Sequence, residues 1–95
     1  MLTPKQKAIL KSHANAISQR HLLGKAEIDD AFLQSIDVAL EAHELIKVGL
    51  LQTASYTPKE VGQQLEEALG CDVVQIIGKV IVIYRKSKKH PRNLI

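Results

Sequence analysis

The residues able to do chemistry are few, and their spacing does not suit catalysis. His43-Glu44 begins like a zinc-protease motif, which needs a second His four residues after the first, but Lys47 stands there. Gly24-Lys25 lacks both the hydroxyl after Lys and the upstream Gly of a phosphate-binding P-loop. His13, His21, His43 and His90 have no metal-ligand spacing. The single cysteine, Cys71, excludes an internal disulfide and a multi-cysteine metal site, and it reads as a small core residue. Asp29-Asp30 sits where a helix should begin, and adjacent acids there read as caps favoured by the helix dipole. The expectation is a protein with no catalytic set, metal, cofactor or small-molecule substrate.

One short segment invites a ligand. Gly24, Lys25, Ala26 and Glu27 form a tight link between a short apolar run, His21-Leu22-Leu23, and the start of a helix. A helix N-terminus presents free N–H groups and a partial positive charge, so an anion is welcome there, and Lys25 adds a full charge. Read plainly, the same four residues are a connecting turn.

The elements that must position this link are legible. Thr3-Pro4-Lys5-Gln6 has a capping Thr, a Pro at the first helical position and Gln three residues after Thr. Ala8, Ile9, Leu10, Ala14 and Ile17 carry that helix to near Ser18. His21–Leu23 predicts a short strand. Phe32, Leu33, Ile36, Ala39 and Leu40 have the spacing of an amphipathic helix running to about His43. Leu45–Leu51 predicts a strand. Thr57-Pro58-Lys59-Glu60 repeats the helix-start chemistry, with Val61, Leu65, Ala68 and Leu69 as the apolar stripe and Gly70 as the stop. Asp72–Ile77 and Val80–Tyr84 predict a hairpin turning at Gly78-Lys79. The order α-β-α-β-α-β-β predicts an α/β (α+β, two-layer) fold of three helices and a four-stranded mixed sheet.

Ninety-five residues make one small domain, and 45% hydrophobic residues with 24% charged residues are ordinary for a globular chain. Aromatics are only Phe32, Tyr56 and Tyr84, so the core must be aliphatic. No apolar run reaches the roughly 18 residues of a membrane span. Nothing near Met1 reads as a secretory signal, so a reducing, cytoplasmic setting is expected. The net charge of +3 hides a strong asymmetry. Residues 1–26 hold Lys5, Lys7, Lys11, Arg20 and Lys25 and no acid. Residues 27–78 hold all ten acids against Lys47 and Lys59. Residues 79–95 hold Lys79, Arg85, Lys86, Lys88, Lys89 and Arg92 and no acid. Basic ends around an acidic middle predict a polyanionic partner. An alternative is a protein-protein interaction module that uses the acidic central helices.

Three stretches carry a family resemblance. Leu40-Glu41-Ala42-His43-Glu44-Leu45-Ile46-Lys47-Val48 resembles the helix-to-strand junction of the CRM domain family (chloroplast RNA splicing and ribosome maturation). Val74 to Arg85 resembles its closing hairpin, and Leu2 to Lys7 with Leu22-Leu23-Gly24 resembles its opening. The likeness runs from about Leu2 to Lys86, in order, and matches the stand-alone bacterial, YhbY-like branch. It implies an RNA-binding fold like the C-terminal domain of translation initiation factor 3, over residues 1–86, with 87–95 as a flexible basic tail. It also implies a role in ribosome biogenesis through contact with rRNA of large-subunit precursors, and a monomer is expected.

The resemblance places RNA contact at a Gly-x-x-Gly loop with basic surface around it. Gly24 matches the first Gly, and Lys25 and Ala26 match the tip. Glu27 replaces the second Gly, adding a Cβ and a negative charge beside the expected anion site. The expected RNA-binding residues are Gly24, Lys25, Ala26, Glu27, Lys5, Lys7, Lys11, Arg20, Lys79, Arg85 and Lys86. With so few aromatics, contact should rest on phosphate and RNA shape rather than base stacking.

Overall fold

A computed structural model describes residues 2–17, 20–23, 28–51, 56–89 and 91. The chain runs α1 (Pro4–Ala14), β1 (His21–Leu23), α2 (Asp30–His43), β2 (Leu45–Leu50), α3 (Pro58–Leu69), β3 (Asp72–Ile77) and β4 (Val80–Tyr84). The strands form one sheet in the order β1-β2-β4-β3. β1 pairs parallel to β2, and the other two pairings are antiparallel. These are the three helices and four-stranded mixed sheet that the pattern predicts.

The helix starts form by local chemistry. Thr3 Oγ1 accepts from the Gln6 N–H at 3.1 Å, and the Thr3 N–H donates to Gln6 Oε1 at 3.0 Å, which satisfies two orphan donors reciprocally. Asp29 caps α2 by accepting from the Phe32 N–H at 2.8 Å. Thr57 caps α3 in the same way through the Glu60 N–H, but its hydroxyl donates to the Glu60 carboxylate. Gly70 ends α3 at φ 66°, a left-handed angle that costs Gly little. α1 stops earlier than the apolar spacing suggests. Its cap is Asn15, and backbone bonds from Ala16 to His13 and from Ile17 to Ala14 close tight turns beyond it.

The two central strands are apolar on both faces. Ile46, Val48, Leu50, Ile81 and Ile83 pack with Ile36, Leu40, Val61 and Leu65 of α2 and α3. Leu45, Val82 and Tyr84 pack on the other side with Leu10 and Ala14 of α1, joined by Val74. Helices therefore cover both faces of the sheet, α2 and α3 on one side and α1 on the other. The cause is visible in β2, where both sets of alternating positions need burial.

At the β3 edge a bulge lies between Val73 and Gln75. Glu66 Oε2 covers it by accepting from the Val73 N–H at 3.1 Å. α3 packs close here. A Cβ built on Gly62 would lie 3.0 Å from Val73 Cγ2 and 3.7 Å from Ile81 Cγ2. Gly62→Val should therefore destabilise the fold by ~1–3 kcal/mol, lowering the thermal midpoint by about 10 °C in a domain of this size. Gly62→Ala gains about 1 kcal/mol of helix propensity and should fall between it and the parent. Thermal unfolding followed by circular dichroism checks both.

Candidate nucleic-acid interface

The crossovers gather several elements at one end of the sheet. Parallel pairing brings the C-terminal ends of β1 and β2 together, and the Leu51 N–H donates to the Leu23 carbonyl at 2.9 Å. The Leu50 N–H donates to the Lys79 carbonyl at 2.8 Å, so the β3-β4 turn joins the same end. α2 and α3 each run back from this end, since each finishes beside the start of the next strand. The loop Gly24, Lys25, Ala26 and Glu27 leaves β1 here, and its own residues lie outside the described ones.

The expected basic residues divide between the two ends and one face. Lys5 and Lys11 are exposed on α1, and Lys7 is half-buried there. Lys79 is exposed at the turn. Arg20 is exposed just before β1, with its stem over Gly49 of β2. Arg85 and Lys86 lie beyond the far end of β4, about 20 Å from Lys79 along the strand direction. Lys47, which lay outside the expected set, donates from Nζ to the Ile17 carbonyl at 2.8 Å and ties the turn that follows α1 to β2.

Arg85 is engaged by the protein. Its guanidinium pairs with the Asp37 carboxylate and donates to the carbonyls of Asp37 and Leu69, each at 3.2 Å. It thereby links the middle of α2 to the end of α3. The chain beyond it is also held. The Ser87 N–H donates to Glu44 Oε2 at 2.6 Å, and Ser87 is buried. The Ser87 hydroxyl and the N–H groups of Lys88 and Lys89 converge on Glu41 Oε1, at 3.1, 2.9 and 2.9 Å. The expected tail is thus anchored to α2 at residues 87–89, with the Lys86, Lys88 and Lys89 side chains exposed. No local signal announces this clamp, since its partners lie more than 40 residues apart.

The same clamp explains an unusual backbone. Glu44 ends α2 at φ 63°, a left-handed angle normally left to Gly or Asn. It is fully buried, and the Arg85 N–H donates to its carbonyl at 2.9 Å.

The layering sorts charge. α1 carries Lys5, Lys7 and Lys11 and no carboxylate. α2 and α3, with the caps Asp29 and Glu44, carry Asp29, Asp30, Asp37, Glu41, Glu44, Glu60, Glu66 and Glu67 against Lys59 alone. Asp72, at the start of β3, is the remaining acid among the described residues. The basic N-terminal segment and the acidic middle of the sequence become a basic face and an acidic face on opposite sides of the sheet, while the basic segment 85–89 is held against α2 on the acidic side. An anionic polymer would be drawn more strongly to the α1 face, which carries no carboxylate on its helix.

The described residues offer little for catalysis. None of their His, Cys, Asp and Glu side chains form a group of three or more able to hold a metal. Burial pushes the Cys71 thiol up to about 11, which keeps it protonated near neutral pH and unreactive. Burial also raises the Tyr84 hydroxyl, helped by the Glu44 and Asp72 charges. No helix among the described residues is long and apolar enough to cross a membrane.

Comparison with known proteins adds a second line. The CRS1 / YhbY (CRM) domain model matches residues 2–85. The chain is 39% identical over 90 residues to a Bacillus subtilis protein named "Probable RNA-binding protein YqeI", covering 95% of this chain and 94% of that one. It is 31% identical over 93 residues to the Pseudomonas aeruginosa "Probable RNA-binding protein PA4753", covering 98% and 89%. The solution structure of the hypothetical protein SAV1595 from Staphylococcus aureus superposes with a TM-score of 0.77 at 44% identity, covering 95% and 94% of the two chains.

The clamp at Glu41 has a pH signature. Hydrogen bonds from the Lys89 N–H first, then from Lys88 and Ser87, with the Arg85 charge, hold the Glu41 carboxyl below its ordinary value against the opposing effect of burial. A lowered native value means the stabilisation is present above the unfolded-state value and is lost as pH falls through the native one. Between neutral pH and about 4.5 the clamp should hold, and below that it should release. Glu41→Gln should lower stability at pH 7 and flatten the acid limb of a stability-pH curve measured by urea unfolding.

Proposed function

Because the chain belongs to the CRS1 / YhbY (CRM) domain family, we propose that it binds RNA through the α1 side of its sheet and the adjoining loop end. The observation that carries this reading is the sorting of charge across the sheet. The relatives named as RNA-binding proteins support the choice of polyanion. Lys5, Lys7, Lys11 and Arg20 supply phosphate contacts on the face. Lys25 and Lys79 supply them at the end where β1 and β2 finish, beside the N-termini of α2 and α3. Gly24, Ala26 and Glu27 shape the loop, and the Glu27 carboxylate tempers its affinity for phosphate. Arg85 serves the fold, and Lys86 lies at the far end of the sheet.

Such contact is mainly electrostatic and largely independent of base sequence, and it suits structured RNA recognised by backbone and shape. We propose further that the protein is a monomeric, cytoplasmic assembly factor whose target is rRNA of large-subunit precursors, as the family resemblance implies. Sedimentation of cell extract at low salt tests that target. The protein should travel with pre-ribosomal large-subunit particles, and its absence from every ribosomal fraction would contradict it.

The binding mode has its own test. With about five phosphates neutralised, log affinity for RNA should fall against log salt with a slope of roughly −3.5 to −4.5. Lys5→Ala and Lys11→Ala should each weaken binding to all RNAs and reduce the slope by about 1. Glu60→Gln and Glu67→Gln on the acidic face should leave affinity unchanged or raise it slightly. Fluorescence anisotropy across a salt series reads all four. No measurable affinity for any RNA, in the parent and the variants alike, would favour a protein partner on α2 and α3.

A further inference from the structure

α1 does not cover the whole of its face. The apolar cluster beneath it holds Leu45, Val74, Val82 and Tyr84. One row of the sheet lies outside that cluster. Leu22 pairs with Gly49, Gly49 with Val80, and Val80 with Ile77, so the four residues form a continuous line across all four strands. Residues directly opposite in register share a face, so this line lies on the α1 side, and it spans about 14 Å. Its two ends are open, with Leu22 59% and Ile77 54% exposed. With partly exposed Val80 between them, Leu22 and Ile77 put aliphatic surface along one row of the sheet, and it is that continuity rather than either residue alone that is informative.

Gly49 organises the middle of the row. A Cβ there would lie 3.3 Å from Leu22 Cδ2, 3.6 Å from Arg20 Cδ and 3.8 Å from Arg20 Cβ. The missing side chain therefore lets the Leu22 methyl and the Arg20 methylenes lie flat over the β2 backbone. Arg20 is exposed, with its Cβ and Cδ over Gly49, and it forms no ion pair among the described residues. Lys79 stands at the turn between Ile77 and Val80. No carboxylate lies in the row, and β1, β2 and β4 contain none.

We infer that this row is a docking strip for unpaired nucleotides of the bound RNA, an assignment that rests on the RNA-binding reading above. Aliphatic side chains at Leu22, Val80 and Ile77 take base or ribose faces, and Arg20 and Lys79 take the flanking phosphates. The cations beside the strip and the lack of carboxylates within it favour a polyanion over a protein partner. The strip gives the protein a preference for loops over perfect duplex, because paired bases have no free face to offer.

The test uses the full chain and two probes of equal charge, an RNA stem-loop and a blunt RNA duplex of the same nucleotide count. The parent should bind the stem-loop about fivefold more tightly, a modest gain that fits partial burial of aliphatic rather than aromatic surface. Leu22→Ala with Ile77→Ala should remove that preference while leaving duplex affinity and the salt slope unchanged. Both sites are exposed, so the fold should survive, as circular dichroism would verify. Gly49→Ala asks the Leu22 methyl to give by only a few tenths of an ångström and stays in ordinary contact with Arg20, so it should fold like the parent and keep most of the stem-loop preference. A parent that binds both probes with salt-sensitive affinity but without preference overturns the strip and leaves the RNA-binding reading standing. So does the double variant if it keeps the preference, or if it changes only self-association in sedimentation. A parent that binds neither probe overturns both.

Discussion

The structure depends on the burial of both faces of β2 and β4. These adjacent central strands carry apolar side chains at alternating positions on each side, Leu45 with Tyr84 and Val82 one way and Ile46, Val48, Ile81 and Ile83 the other. A sheet of this kind is stable only when something covers each face. The two crossover helices cover one. α1 is the remaining element able to cover the other. Because α1 is basic and α2 and α3 are acidic, covering both faces also separates the charges. The polarity that suits the molecule to a polyanion is thus a by-product of how its core closes.

The same constraint explains why a functional strip survives. α1 has 11 residues, about 16 Å at helical rise. It shields the cluster around Leu10 and Ala14 and leaves a row of the sheet beyond it. Gly49 keeps the middle of that row low, and Lys47 fixes the turn that follows α1 to β2. Glu41, Glu44 and Asp37 work on the opposite side. They hold the segment from Arg85 to Lys89 and prevent α2 from parting from β4. Several carboxylates of the acidic face are therefore engaged in the fold.

Much of this was legible in the residues. The three helix starts are local, because Thr or Asp caps and Pro at the first position act within four residues, and each cap forms. The β3-β4 hairpin is also local and has the expected bounds. The covering of both faces was not legible, because period-2 alternation in β2 shows two apolar faces only once Lys47 and Gly49 are seen as exceptions with structural reasons. The clamp was hidden because Arg85, Ser87 and Lys89 read as tail residues until α2 is placed beside them. The left-handed Glu44 breaks a local rule and is supported only by contacts distant in sequence. Of the candidate site, the sequence named the basic residues of α1, Arg20 and Lys79. It could not separate them from Arg85, whose charge looks the same until Asp37 is found against it. The loop from Gly24 to Glu27 lies outside the described residues, so its place is known only from the strand and helix it joins.

The central claim is that RNA meets the α1 face and the loop end while α2 and α3 face away. Amide chemical shifts of the isotopically labelled full chain, followed during titration with an RNA stem-loop, test it most directly. The account predicts that shifts concentrate at Lys5, Lys11, Arg20, Leu22, Ile77 and Lys79, with Asp37, Glu60 and Glu67 unmoved. Shifts centred on α2 and α3, with the α1 face silent, would contradict it.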